Sequence, residues 1–419
     1  AMRVNLSQTD KQTLTARPTN NTEAYDYYLR GKNQTTATTR PSDFLRAVAF
    51  LERAVRLDPK FALAYATLGV AHLNTYWFQI DNTPRRLGIA KAAIDTALAL
   101  DPKLGAAHTA IAAYYYRAKL DYQRALDALV VAERLAPNDA GVLDLKALIE
   151  RRQNRWAESI SDEERAARLD PRNVDVLSNL CLTLYLARRY DAAEKTCRQV
   201  LVIAPDKWPG YAVLAGLAIN RWGDIKSSLA ILRQAENQVD PEDFRQGLLG
   251  AAWPALLDPH LLNEMKAVNP PVELQLRLDY LTFALVLSVY EKDMRAARQV
   301  ADSILTHAPQ AMRGNFFDSG VHRALALAYA AKGDRQRSSE EAALSMKTTP
   351  LSVDAVRGAD NLVAIAYGAV LAGSYDEAIA DLKQLLAIPS SISVTLLRTD
   401  PWFDPIRQDP RFKQLVSGQ

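Results

Sequence analysis

Residues 174–205 read VDVLSNLCLTLYLARRYDAAEKTCRQVLVIAP, and this stretch decides the fold. Leu177, Leu180, Cys181 and Leu184 recur three and four apart, then Ala193, Cys197 and Val200 do the same. Each set makes one face of a helix apolar. Tyr190-Asp191-Ala192-Ala193 opens the second helix, and Pro205 stops it because proline cannot continue a helix. The unit is therefore two helices that bury their apolar faces against each other.

The closing phrase recurs outward from here. Leu57-Asp58-Pro59, Leu100-Asp101-Pro102, Leu135-Ala136-Pro137, Leu169-Asp170-Pro171 and Ile203-Ala204-Pro205 place prolines 43, 35, 34 and 34 residues apart. Later copies end near Pro241, Pro309, Pro350 and Pro389, and Tyr375-Asp376-Glu377-Ala378 echoes the second-helix opening. Gly223-Asp224, Gly333-Asp334 and Gly373-Ser374 mark inner turns. A period near 34 of helix–turn–helix units resembles the tetratricopeptide repeat. The expected fold is all-α, a right-handed α–α superhelix of about nine repeats in two blocks. Residues 1–22 read as a loose lead-in, 23–241 as six repeats, 242–271 as an atypical helical junction broken by Trp253-Pro254 and Pro270-Pro271, 272–389 as three repeats, and 390–419 as a carboxyl-terminal cap.

Both borders carry a narrower resemblance. Leu14 to Gly31 and Asp400 to Leu415, the latter with three Asp-Pro steps, look like the ends of the repeat region at the carboxyl end of bacterial signalling proteins. Those proteins carry adenylate-cyclase, serine/threonine-kinase or winged-helix output domains. The resemblance implies a regulatory or scaffolding half, with any catalytic domain outside this chain. With only two cysteines no disulfide framework is expected, which fits a cytoplasmic chain, or a periplasmic one if a transmembrane helix lies upstream.

The composition limits the alternatives. Of 419 residues 48% are apolar and 24% charged, the balance of a folded protein. A net charge of +3 without a basic run argues against a nucleic-acid binder. No apolar run of roughly 18 residues suggests a membrane span. No phosphate loop, His-Glu-x-x-His or Cys-x-x-Cys occurs, so no catalytic residue, metal or cofactor is expected. The five histidines, His72, His108, His260, His307 and His322, stand singly and read as packing or surface groups. Asp162-Glu163-Glu164 reads as a solvated helix face. Cys181 and Cys197 read either as two small buried hydrophobes or as a reversible disulfide within one repeat.

In a tetratricopeptide array the first helices line the concave side. Register projected over residues 109–220 puts Tyr116, Arg117, Arg151, Arg152, Asn179, Tyr185 and Asn220 there. Amides can hold the backbone of an extended peptide and arginines its acidic groups. The expected partner is a protein or peptide, with an acidic one favoured by Arg117, Arg151 and Arg152. The rival readings are self-association with a second copy, and a small-molecule or enzymatic role at the junction near Trp253.

Overall fold

The computed structural model describes residues 18–36, 40–250, 258–271 and 273–417; Trp253 and Pro254 lie outside them. The chain packs as two compact units, Ala1–Val142 and Leu143–Gln419. Among the described residues all regular structure is helical.

The first unit holds helix pairs α1 (Thr22–Thr36) with α2 (Pro41–Leu57), α3 (Ala62–Trp77) with α4 (Pro84–Leu100), and α5 (Gly105–Tyr114) with α6 (Tyr122–Leu135). Each first helix packs on its own second helix, and α3 also packs on α5. Close approach is set by small residues. At Gly69 on α3 a Cβ would overlap Ile94 of α4, so that crossing needs a residue without one. A π-turn, Tyr115–Lys119, ends α5, and Leu120 follows at φ 51°. Of the segment read as a loose lead-in, residues 18–21 are tied down: Asn21 Nδ2 donates to Leu57 O at 3.0 Å, and the Thr19 hydroxyl donates to Asp58.

Helix α7 (Ala140–Arg152) begins where the units divide. The second unit continues with α8 (Trp156–Leu169), then α9 (Val174–Leu186) with α10 (Tyr190–Ile203), and α11 (Trp208–Trp222) with α12 (Ile225–Gln238). Two short helices interrupt the pairing, α13 (Pro241–Gly250) and α14 (Pro259–Lys266). Their Phe244, Leu248, Leu261 and Met265 are buried against Tyr211 and Leu232. Three further pairs follow: α15 (Leu274–Tyr290) with α16 (Met294–Ala311), α17 (Asp318–Lys332) with α18 (Arg335–Thr348), and α19 (Ala355–Ala372) with α20 (Tyr375–Ala387). With α7 and α8 joined by Lys146–Asp162 and counted as a pair, the described residues hold nine pairs and form an all-α tetratricopeptide-type solenoid fold.

Helix starts follow ordinary capping. Asp121, Asp224, Asp293 and Asp334 each accept a hydrogen bond from the backbone N–H three residues on. Helix α19 is long and apolar enough to cross a membrane by length and composition, a feature the sequence reading did not register. Most of it is buried in the core, with Leu362, Ala366 and Val370 among residues from α20 and the cap.

The carboxyl-terminal segment does more than cover the last apolar face. Trp402, Phe403 and Phe412 do pack on α19 and α20. In addition Arg188, at the inner turn between α9 and α10, donates to Leu385 O at 2.9 Å and Ile392 O at 3.0 Å. Ser390 N donates to Leu186 O, and the Ser393 hydroxyl donates to Asn220 O. The segment thus straps the end of the second unit to repeats some 200 residues earlier.

Candidate functional site

The period that makes the helices also pairs their side chains. Equivalent positions on successive first helices meet: Asn179 Nδ2 donates to Asp144 at 3.1 Å, 35 residues away, and Asn220 Nδ2 donates to the Tyr185 hydroxyl at 2.8 Å, also 35 away. In the first unit Arg117 donates to Asn74, 43 residues away across the stretched repeat.

This pairing decides where the projected groove residues end up. Tyr116, Arg151, Tyr185 and Asn220 are buried, which removes them from any surface a partner can touch directly. The Tyr116 ring lies 5.3 Å from Trp77 and 6.1 Å from Tyr122. Burial holds the Tyr185 hydroxyl well above its ordinary pKa. Arg117, Arg152 and Asn179 keep partial exposure. All three arginines are engaged within the chain: Arg117 with Asn74, Arg151 with Thr183, and Arg152 with Asp354. The arginine cluster expected to favour an acidic partner is therefore already occupied.

The acidic run at 162–164 is corrected by the structure. It sits mid-helix in α8, and Glu163 is fully buried. The Thr183 hydroxyl lies 3.0 Å from Glu163 Oε1 and 2.7 Å from Arg151 Nη1. Burial pushes the Glu163 carboxyl up to about 8, with Arg151 pulling the other way. Glu150 is likewise raised, to about 7, by burial and by Asp162. The solvated-face reading holds for Glu164, which is exposed, and fails at Glu163, which Thr183 and Arg151 of two neighbouring first helices cover.

The cysteines are joined. Cys181 of α9 and Cys197 of α10 form a disulfide, Cα to Cα 5.3 Å, with both residues buried. Of the histidines, His72 is buried and accepts from Arg86 at Nδ1, so its proton rests on Nε2. Burial first and Arg86 second lower its pKa to about 4. His322 meets Glu341 at 2.7 Å.

A charged lining that sequence projection did not reach lies on α15, α17 and α19. Asp279, Arg323 and Asp360 are each the sixth residue of their helix; relative to the inner turns at Lys292, Gly333 and Gly373 the two aspartates are in register and Arg323 lies about one helical turn closer to its turn. Among the described residues, none of these three side chains makes a direct hydrogen bond or ion pair. Asp279 and Asp360 reach solvent, yet crowding by protein removes enough hydration to raise both carboxyls; Arg323 acts on both in the opposite sense. A concave lining has both properties at once.

Beside it, Asp354 is fully buried and caps α19 through Oδ1, accepting from Val356 N and Arg357 N. Its Oδ2 takes Arg152 at 2.6 Å and Arg357 at 3.8 Å. The Arg357 guanidinium lies over Phe316 at 4.9 Å and Phe317 at 5.2 Å. Arg152 is the last residue of α7 and Asp354 caps α19, so the end of an early first helix meets the start of a late one here. The signal was present in the sequence in part: Asp279 and Asp360 stand at one register position of the late repeats.

No family profile matches the chain, and no curated protein sequence does. Partial likenesses exist among solved structures. Pseudomonas aeruginosa pilF is 19% identical, covering 51% of this chain and 92% of its own, with a TM-score of 0.35. PilW, described as a widely conserved type IV pilus biogenesis factor, is 16% identical over 60% of this chain and 94% of its own, at 0.38. A tetratricopeptide repeat protein from Parabacteroides merdae is 12% identical over 72% and 99%, at 0.39.

Proposed function

We propose that the chain is a protein-interaction module, the scaffolding or sensory half of a bacterial signalling protein, and that the concave lining of its second unit receives an extended segment of a partner. The observation that carries this reading is the Asp279–Arg323–Asp360 series: three charged side chains on successive first helices, reaching solvent and making no direct ion pair among the described residues. A partner segment with a carboxylate placed between two cationic side chains complements it, since desolvated carboxylates gain most from a cation that replaces lost water. Arg152 and Asn179, half-buried and bonded to Asp354 and Asp144, and Arg117, bonded to Asn74, would have to exchange those bonds to serve as further contacts. Binding, rather than catalysis, is the role assigned to this chain.

The disulfide bears on compartment. Thiols in a reducing cytoplasm stay reduced, so Cys181–Cys197 supports the periplasmic alternative over the cytoplasmic one. The border phrases, Leu14 to Gly31 and Asp400 to Leu415, support the signalling assignment.

The test is to pan a random peptide library on the whole chain and measure selected peptides against Arg323→Ala and Asp360→Asn. The expected result is selected peptides of mixed charge whose affinity drops tenfold or more in both variants. Peptides that bind both variants as tightly as the parent chain would overturn the assignment.

A further inference from the structure

We infer that Glu236, His260 and Glu264 form a binding site for a divalent transition-metal ion, with zinc the best match to their chemistry. One ligand atom from each lies within 4.8 Å of the others. His260 and Glu264 are four residues apart on α14, one helical turn, so both project from the same face. Glu236 comes from the last turn of α12 and brings its Oε1 to 2.5 Å from His260 Nε2. The set joins two helices through one imidazole and two carboxylates, a mixture suited to zinc with water completing four-coordination.

The surroundings orient this set. Arg233 holds the Oε2 of Glu236 at 3.4 Å, and Arg245 of α13 holds the Oε2 of Glu264 at 3.0 Å. Each arginine takes Oε2 of its carboxylate, leaving Glu236 Oε1 turned to the imidazole. Such support behind coordinating carboxylates is the usual outer shell of a metal site. Arg233 also binds Asp258 at 2.7 Å, and Asp258 caps α14, so the same network fixes the helix that carries two of the three groups.

Admitting the ion requires little motion. Zinc bonds of about 2.0–2.2 Å at tetrahedral angles put ligand atoms about 3.4 Å apart. The imidazole and the Glu236 carboxylate must therefore part by less than an ångström or so. His260 is 47% exposed and Glu236 26%, which leaves both free to shift. The lining offers too few oxygens for calcium, which takes six to eight. The consequence for the protein is a clamp between α12 and α14. That is where regular pairing lapses, and at eight residues α14 is too short to hold its helix unaided.

The experiment is calorimetric titration of zinc into tag-free chain stripped with chelator, alongside cobalt titration followed by visible absorption. One saturable site is expected, with cobalt bands of four-coordinate intensity and a raised melting midpoint in zinc but not in calcium. His260→Ala, Glu236→Gln and Glu264→Gln should each weaken zinc about tenfold or more, while His307→Ala leaves it unchanged. Circular dichroism of each variant shows that it is folded, and the three separate substitutions keep the result from resting on any one. No saturable binding in the parent chain, or equal affinity in His260→Ala, overturns the site.

Discussion

The two units are made of the same helix pair and held together differently. In the first, side-chain bonds between repeats join neighbours, as Arg117 joins Asn74 across 43 residues. In the second, neighbour pairing is supplemented by a covalent bond within one repeat, by Arg152 reaching Asp354 across 202 residues, and by the strap around Arg188. The contrast teaches that a repeat period dictates adjacency only. Joining distant repeats takes residues that the period does not call for, and they sit where other repeats place something simpler. Arg188 occupies the inner-turn position filled by Gly223, Gly333 and Gly373 elsewhere, and it accepts φ 57° there. A side chain at that dihedral costs about 1–2 kcal/mol, which the three bonds of its guanidinium offset.

The largest expected difference between the units comes from the disulfide. It closes a loop of 16 residues, a constraint on the unfolded chain of about 3 kcal/mol. Cys197→Ala, or reduction, should lower the stability of the second unit by that order and leave the first unchanged. Urea denaturation followed by hydrogen exchange on peptides from each unit reads both. Equal losses in the two units would break the contrast.

Next in size is a pH response of opposite sign. Unfolded, Glu163 releases its proton near the ordinary 4.5; folded, it holds it to about 8. Its contribution is therefore present below 4.5 and is lost as pH rises from 4.5 towards 8. His72 runs the other way: unfolded it takes a proton near 6.5 and folded only near 4, so its contribution is lost as pH falls between those values. Glu163→Gln should stabilise the second unit at pH 8, on the order of 1–3 kcal/mol, and do little at pH 5. His72→Gln should make the first unit less sensitive to acid over the same range. A Glu163→Gln effect of the same size at both pH values would remove the titration argument.

The smallest effect sharpens the role of the strap. Arg188→Ala loses three hydrogen bonds to residues 385–392 and should cost about 1–2 kcal/mol. Arg189→Ala, at the exposed neighbouring position, should cost nothing measurable. Increased exchange confined to residues 385–400 in Arg188→Ala would locate the loss.

These cases also show what was legible beforehand. Helix pairs, inner turns and closing prolines were readable because each rests on local spacing, as in Tyr190-Asp191-Ala192-Ala193 and Pro205. The side-chain ladder was half readable. Spacing brings Asn179 to Asp144 and Asn220 to Tyr185, but only packing shows that Tyr185 and Asn220 are thereby buried. The fate of Glu163 was not readable, since an acidic run on a helix looks solvated until Thr183 and Arg151 of other helices close over it. Nor was the reach of Arg188, because nothing near residue 188 names residue 392. The match of Asp279 with Asp360 was within reach and needed only the late repeats set in register; Arg323, about one turn away, needed the structure.

The strap has a consequence in time. A solenoid of neighbouring contacts can fold progressively as the ribosome delivers it, each new pair docking on the last. The first unit fits that course. The second cannot complete its hydrogen bonds at Leu186, Arg188 and Asn220 until residues 385–393 have been made, some 200 residues afterwards. At a synthesis rate of about 5–20 residues per second, the inner turn at Arg188 waits on the order of ten to forty seconds for its partner. The disulfide partners face no such wait for each other, being only 16 residues apart.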